Sequence, residues 1–553
     1  MKNKEKVSYS KGKSIIVLVT SAGTIKSACN YELANNDPSF LNIGTSVAID
    51  EIQKKSDFEI VMAVNKKNKN FYKLNPFKFI KTIEVKQTKN IIDTIEMALL
   101  NINTEYVLIN PITSISKCKK LSSPFIEFGS KMIPKENWSS ISFMHDGTPV
   151  FHSKSDKNSK DVLSYPFTGR ILAKTKDILI ALKEINEFEK NDLLTLAKIL
   201  YLKNKIKLKF DDWLDIGHIA TYPQTRISSI SSRFFNSLIY NKERDVIIKK
   251  SKNKKKIEQE IDYYQTIPKA IKRYFPMVLN VEKKGANISY EMNYISKPNL
   301  SEIFLFGKLG PNSIKRIFNS INRVYSLFYK KDHLIKENAS WLYSKKTTAR
   351  QKKFEQIIQE NEFFFLRNIY QHDFLINDLK FPALKKTFKK LLVELERFEK
   401  IRPMHLGHGD LCFNNILLDP VSGQVNLIDP RADKHQKINV CGIVDEYYDL
   451  SKLNHSIEGL YDSIVNNLFN LRIYEENKII FEVYKPLEYE FYNSYFKDLF
   501  LEKKISKNIL RILTGNLFLS MLPLHIDNKR RMIALALIGS LFLNNISMRK
   551  IFL

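Results

Sequence analysis

The chain has 553 residues, 44% hydrophobic and 12% aromatic, too long for one ordinary domain and too apolar for a disordered protein. Its four cysteines (Cys29, Cys118, Cys412, Cys441) lie far apart with no C-x-x-C pair, which excludes a zinc ribbon or disulfide framework and points to a reducing cytoplasm. The net charge of +29 is spread along the whole length, either as a polyanion-binding surface or as a solvated, Lys-biased one, and no zinc-finger or aromatic RNP motif implies a specific nucleic-acid partner.

Residues 1–13 read as a basic tail, without the apolar core of a signal peptide. Ser14–Val19 is then a short apolar strand, and Thr20–Lys26 a small-residue loop containing Gly23 and Lys26. A helix (Val47–Lys54), a strand (Phe58–Val64), a helix (Ile91–Asn101) and a strand (Tyr106–Asn110) follow. Such alternation predicts a parallel α/β sheet with a ligand site at the carboxyl ends of its strands. Further on come Tyr165–Arg170 and Trp213-Leu214-Asp215-Ile216-Gly217.

This order resembles the nucleotidyltransferase or GT-A type fold, in which the Asp of a W-x-D-x-G segment binds metal. The resemblance gives Gly23, Lys26 and Asp215 as a second set of site residues. The departures are a loop with a single glycine and no Asp after the fourth strand, where Pro111-Ile112-Thr113 stands. One carboxylate holds magnesium only with water and substrate phosphates. Residues 14–220 therefore read as a degenerate or structural nucleotidyltransferase-like domain, with nucleotidyl transfer as the alternative.

Periodicity breaks at Ile219–Arg226, the expected domain boundary. Residues 221–300 are expected to form a kinase-like N-lobe and 301–553 a helical C-lobe. Ser228–Asn236 stands where a nucleotide-covering loop belongs, but it has no glycine. Asp245–Lys249 is a strand ending in lysine. Lys249 and Lys250 point to opposite faces, and Lys249 suits the V-x-x-K spacing, with Lys250 the alternative. The next helical pattern puts Glu260 on the apolar face of Ile257, Ile261 and Tyr264, where an acid needs a partner; Lys249 is the expected one. Ile288–Ile295, containing Met292, reads as a strand entering a hinge whose backbone contacts adenine. Residues 301–400 are strongly helical, with long amphipathic patterns at Ile314–Tyr329 and Ala349–Tyr370.

His408-Gly409-Asp410-Leu411-Cys412-Phe413-Asn414-Asn415 carries the clearest chemistry. Two short apolar strands, Ile416–Leu418 and Val425–Ile428, flank a turn-rich segment and lead to Asp429. A hairpin then brings Asn415 and Asp429 within reach of one ion. An Asp, an Asn five residues on and a second Asp are what phosphoryl transfer needs: a base for the acceptor hydroxyl and two ligands for magnesium on the nucleotide phosphates. The apolar runs Leu517–Leu524 and Met532–Leu543 are too short to span a membrane and read as two packed helices.

The loop resembles the H-G-D-x-x-x-x-N of the aminoglycoside phosphotransferase and choline kinase family. The resemblance makes Asp410 the base, Asn415 and Asp429 the magnesium ligands and His408 a brace. Ile428-Asp429-Pro430-Arg431 and Tyr448-Asp449-Leu450-Ser451-Lys452-Leu453-Asn454-His455-Ser456 are similar to a subset found with bacterial surface-polysaccharide, or capsule, genes. The expected function is an ATP- and magnesium-dependent kinase for a sugar or amino alcohol. The alternatives are a bifunctional kinase/nucleotidyltransferase and a non-catalytic nucleotide-binding scaffold.

Overall fold

Apolar runs of the N-terminal third pair into one sheet in the computed structural model, which describes residues 10–18, 59–64, 80–84, 90–111, 114–116, 123–134, 138–153, 163–190, 192–215, 236–241, 243–251, 253–284, 287–306, 309–329, 333–419, 422–474, 477–501 and 505–552. The chain divides into two compact units, Met1–Lys73 with Phe77–Ile230 and Leu74–Pro76 with Ser231–Leu553. The expected boundary at Ile219–Arg226, the helix at Val47–Lys54, Gly23 and Lys26 lie outside the described residues.

In the first unit the strands run in the order Lys207–Asp211, Phe125–Gly129, Leu163–Lys174, Thr104–Pro111, Ser10–Leu18, Glu59–Val64, Ile80–Glu84. The last four are mutually parallel, as the alternating pattern predicts. Leu163–Lys174 then runs antiparallel to both of its neighbours. The first strand begins at Ser10, inside the stretch read as a tail, because Ser10 pairs with Thr104. Helix Ile91–Leu99 is capped by Asn90, whose side chain accepts the Asp93 N–H at 2.8 Å, and it buries Ile92, Ile95, Ala98 and Leu99 against the sheet core. This unit has the α/β nucleotidyltransferase-like fold.

The second unit opens, among the described residues, with a four-stranded antiparallel sheet ordered Asn236–Asn241, Val246–Ser251, Asn287–Asn293, Val278–Lys284. Helix Lys254–Thr266 packs on it, capped by Asn253 and burying Ile257, Glu260, Ile261, Tyr263 and Tyr264. A helical lobe follows. Its helices Lys507–Ser520 and Lys529–Leu543 are packed together, and after a basic first turn the second is buried on every face from Met532 to Phe542, as a helix inside a lobe must be. This unit is an α+β, bilobal protein-kinase-like fold.

Two sequence patterns resolve differently. Ala349–Tyr370 is no single helix: Ser344–Ile357 ends, Glu360 is extended, and a short 3-10 turn at Asn361–Phe363 leads into Phe364–Gln371. The polar run Gln359-Glu360-Asn361 offers no apolar face there, while Phe363 turns inward and is buried. The region 301–400 also contributes three-residue strands, Ile335–Glu337, Phe374–Ile376 and Leu379–Phe381, too short to show alternation.

Candidate active site

Strand Arg402–Leu406 sits between Ile335–Glu337 and Ile443–Asp445, and the loop from Gly407 to Asn415 leaves its end. Gly409 has φ +72°, and a β-carbon there would lie 2.7 Å from Cβ of Arg431, so glycine is the residue that fits. The loop is held from below by Asp449, fully buried on helix Glu446–Ile457. Its Oδ2 accepts the His408 N–H at 2.9 Å and the Tyr329 hydroxyl at 2.6 Å, and its Oδ1 accepts the Leu411 N–H at 3.4 Å.

His408 ties this loop to the segment that leads to Asp429. Its Nδ1 accepts the Asp410 N–H at 3.2 Å, and its Nε2 faces the Ile428 carbonyl at 3.1 Å, which assigns the proton to Nε2. Burial lowers the His408 pKa, so the ring is neutral in this role, and it stacks on Phe275.

The hairpin pairs Ile416 with Leu427, and the Ile428 N–H donates to the Asn415 carbonyl at 3.0 Å. Asn415 donates its side-chain amide to the Asp410 carbonyl at 2.8 Å and to Asp410 Oδ2 at 3.1 Å. The amide nitrogen being so engaged, Oδ1 is the atom Asn415 would turn to a cation. Asp429, in the left-handed region at φ 54°, carries the second candidate oxygen donors on a side chain 48% exposed.

Lys249 joins the two lobes of this site. Its Nζ lies 2.8 Å from Glu260 Oε2 and 2.7 Å from Asp429 Oδ1. Glu260 also accepts the Tyr290 hydroxyl at 3.0 Å. Burial works against the Lys249 charge, but the Asp429 and Glu260 carboxylates outweigh it and raise its pKa. Lys249 in turn holds the Asp429 carboxyl below its ordinary range. Lys250 faces solvent. Met292 is half-buried on the neighbouring strand, opposite Ile247 and Val278.

Of the residues singled out in the sequence, Asp410, His408, Asn415, Asp429, Lys249 and Glu260 thus come together. Asp215 is described only in its backbone, paired antiparallel with Ser114. In the same unit the last residues of the fourth strand carry Asn110, whose Oδ1 accepts the Arg170 guanidinium at 2.7 Å; Arg170 also pairs with the buried Glu127 at 2.6 Å.

Lys452 and Asp449 belong to the segment that the sequence set apart by resemblance, but no role had been read for either of them. Lys452 Nζ sits 2.8 Å from Asp410 Oδ1. Asp449 and Lys452 are three residues apart on one helix, hence on one face, and that spacing was the available signal.

An oxygen-only donor set of one carboxylate and one amide suits magnesium, whose remaining positions are filled by phosphates and water. Together with a buried Lys–Glu pair and an Asp held by Asn415 and Lys452, the arrangement can bind a nucleoside triphosphate and take a proton from a hydroxyl.

No protein-family model matches the chain, and no curated protein matches it. Among solved structures, an apo thermostable mutant of an aminoglycoside phosphotransferase is 12% identical and covers 58% of this chain and 97% of its own, with a TM-score of 0.36. The inositol-1-phosphate CTP transferase from T. maritima is 13% identical and covers 39% of this chain and 95% of its own, with a TM-score of 0.30. A UDP-glucose pyrophosphorylase complexed with UDP-glucose is 12% identical and covers 40% of this chain and 98% of its own, with a TM-score of 0.30.

Proposed function

We propose that the chain is an ATP- and magnesium-dependent phosphotransferase acting on the hydroxyl of a small molecule. The observation that carries this reading is Lys249, bound at once by Glu260 and by Asp429, with Asp429 following the hairpin whose other end carries Asn415, itself bonded to Asp410. A buried ammonium held by two carboxylates at this place is explained by a nucleotide whose phosphates it meets.

Each residue has a definite task. Lys249, aimed by Glu260, contacts the nucleotide phosphates. Asn415 Oδ1 and Asp429 would hold magnesium, which neutralises phosphate charge when bound. Asp410 accepts the acceptor's hydroxyl proton. His408 and Asp449 keep the loop in the geometry that aims Asp410. Met292 and its strand supply hinge backbone toward the base. A sugar or amino-alcohol acceptor and a place in surface-glycan or capsule biosynthesis, in the cytoplasm, rest on the resemblance of the Ile428–Arg431 and Tyr448–Ser456 segments. No described helix is long and apolar enough to cross a membrane.

Nucleotidyl transfer by the first unit has less support. Asn110 is a neutral amide engaged by Arg170 where the fourth strand ends. Phosphorus NMR with ATP, magnesium and a panel of hydroxyl compounds tests the proposal. A new phosphoester resonance that vanishes in Asp410→Asn supports it. ATP that remains intact with every acceptor class, and shows no binding, overturns it.

A further inference from the structure

The face of helix Glu446–Ile457 that carries Lys452 also carries Tyr448, one turn earlier. The Tyr448 hydroxyl is a meeting point for cations. Lys346 Nζ donates to it at 2.6 Å and Arg431 NH1 at 3.3 Å. Lys346 also lies over the Tyr448 ring at 4.9 Å, and the Arg431 guanidinium lies 5.6 Å from that ring and 5.9 Å from Trp341. The carboxylates paired with this group are Asp410, on Lys452 at 2.8 Å, and Asp433, on Arg431 at 2.6 Å, the latter 60% exposed.

Two cations, Lys346 and Arg431, thus meet on one buried phenol, with Lys452 one turn along the same helix face. Holding the half-buried Lys346 ammonium against a neutral hydroxyl gives up part of its hydration, a cost that an anion would recover. The positive surplus is also visible in the protonation of its members. Burial by itself would raise the Tyr448 pKa, but the Lys346, Arg431 and Lys452 charges bring it down to about 7. Lys346 is lowered chiefly by burial; Tyr448 opposes that shift, while Arg431 and Arg350 add to it. The lowered phenol thus reports the positive potential of its neighbours, to which the geometry above already points.

We propose that the acceptor carries an oxyanion, carboxylate or phosphate, which Lys346 and Arg431 bind beside Tyr448 while its hydroxyl is presented to Asp410. This rests on the phosphotransferase reading above and chooses within it. An amino alcohol would bring a further positive charge to the cluster, and a neutral sugar would leave the surplus unanswered. One helical turn, roughly 6 Å along the axis, separates Tyr448 from the lysine that holds Asp410, a span on the scale of a single sugar ring.

Two measurements on the full chain test this. The first follows tyrosine ionisation by ultraviolet difference absorption, with Tyr448→Phe identifying the residue. Inorganic phosphate or acetate, against chloride at equal ionic strength, is expected to raise the Tyr448 midpoint by about one unit or more. Lys346→Met should abolish the response and Lys346→Arg restore it. The phosphate and acetate arms show which oxyanion is preferred. A midpoint indifferent to both anions overturns the proposal.

The second measurement separates a small-molecule extract on an anion exchanger and supplies each fraction with labelled ATP and magnesium. Label is expected in compounds from the retained, anionic fraction, with KM rather than kcat raised about tenfold or more in Lys346→Met. Transfer confined to the unretained fraction overturns the proposal. Transfer in no fraction counts against the phosphotransferase reading, and the tyrosine titration then decides the anion site by itself.

Discussion

Lys452 Nζ lies 2.8 Å from Asp410 Oδ1, so the candidate base is held by a cation from the helix that also supports its loop. The opposite oxygen, Oδ2, accepts from the Asn415 amide at 3.1 Å. The carboxylate is thereby fixed from both sides, and its orientation is set before any acceptor arrives.

Asp410→Asn keeps the shape and one of the two acceptor oxygens that meet Lys452 and Asn415, but cannot take a proton. Turnover should fall by about 10² or more, with the thermal stabilisation by magnesium-ATP intact. Steady-state assay and thermal shift on the same samples check this. Unchanged turnover would remove Asp410 from its role.

On the nucleotide side, Asp429→Ala and Lys249→Met should each lose most of the magnesium-ATP thermal shift, because stabilisation follows binding. Lys250→Met, altering an exposed neighbour, should retain it. A larger loss in Lys250→Met than in Lys249→Met would show that the wrong lysine has been chosen.

Asp449→Ala strands the Tyr329 hydroxyl and the His408 and Leu411 N–H groups that the carboxylate now accepts. Each buried donor left without a partner costs about 1–3 kcal/mol. A drop in Tm together with loss of turnover is expected. Asp449→Asn, which retains one acceptor oxygen, should be milder in denaturant unfolding. Equal stability of Asp449→Ala and the parent chain would contradict this account.

Asp462 supplies a pH dependence. Burial raises its pKa from 3.8 to about 6 in the folded chain. Its contribution is fully present below the unfolded value and is lost as pH rises through the folded one. A shift of about two units corresponds to roughly 3 kcal/mol. Asp462→Asn has no proton to lose, so its Tm relative to the parent should climb between pH 4 and pH 7. A difference that stays flat across that range would show that Asp462 titrates normally.

The first unit is tested in the Asp410→Asn chain, where kinase turnover is removed. Common nucleoside triphosphates with sugar phosphates and magnesium should release no pyrophosphate. Robust release would restore the two-reaction reading despite the Asn110–Arg170 pairing.

The chemistry of the second unit was legible because it is local. His408 to Asn415 and the hairpin to Asp429 lie within 22 residues, and strand and turn signals place them without knowledge of the rest. Glu260 was legible for another reason: an acid on an apolar helix face needs a cation, and Lys249 lies on the preceding strand. Lys346 and Tyr448 are 102 residues apart, and no periodicity links them. Their meeting depends on tertiary packing. The antiparallel Leu163–Lys174 was hidden for a related reason, since an apolar strand reads the same in either direction.

The double clasp on Lys249 gives the cleft its own resident counter-ion. Asp429 is already neutralised by an ammonium 2.7 Å away, so a bare divalent ion must compete with a tethered rival. A cation that brings triphosphate with it offers Lys249 a new partner in exchange, and the swap conserves charge on both sides. The site should therefore discriminate against free metal in favour of the metal–nucleotide complex, making order of arrival a property of one lysine's divided allegiance.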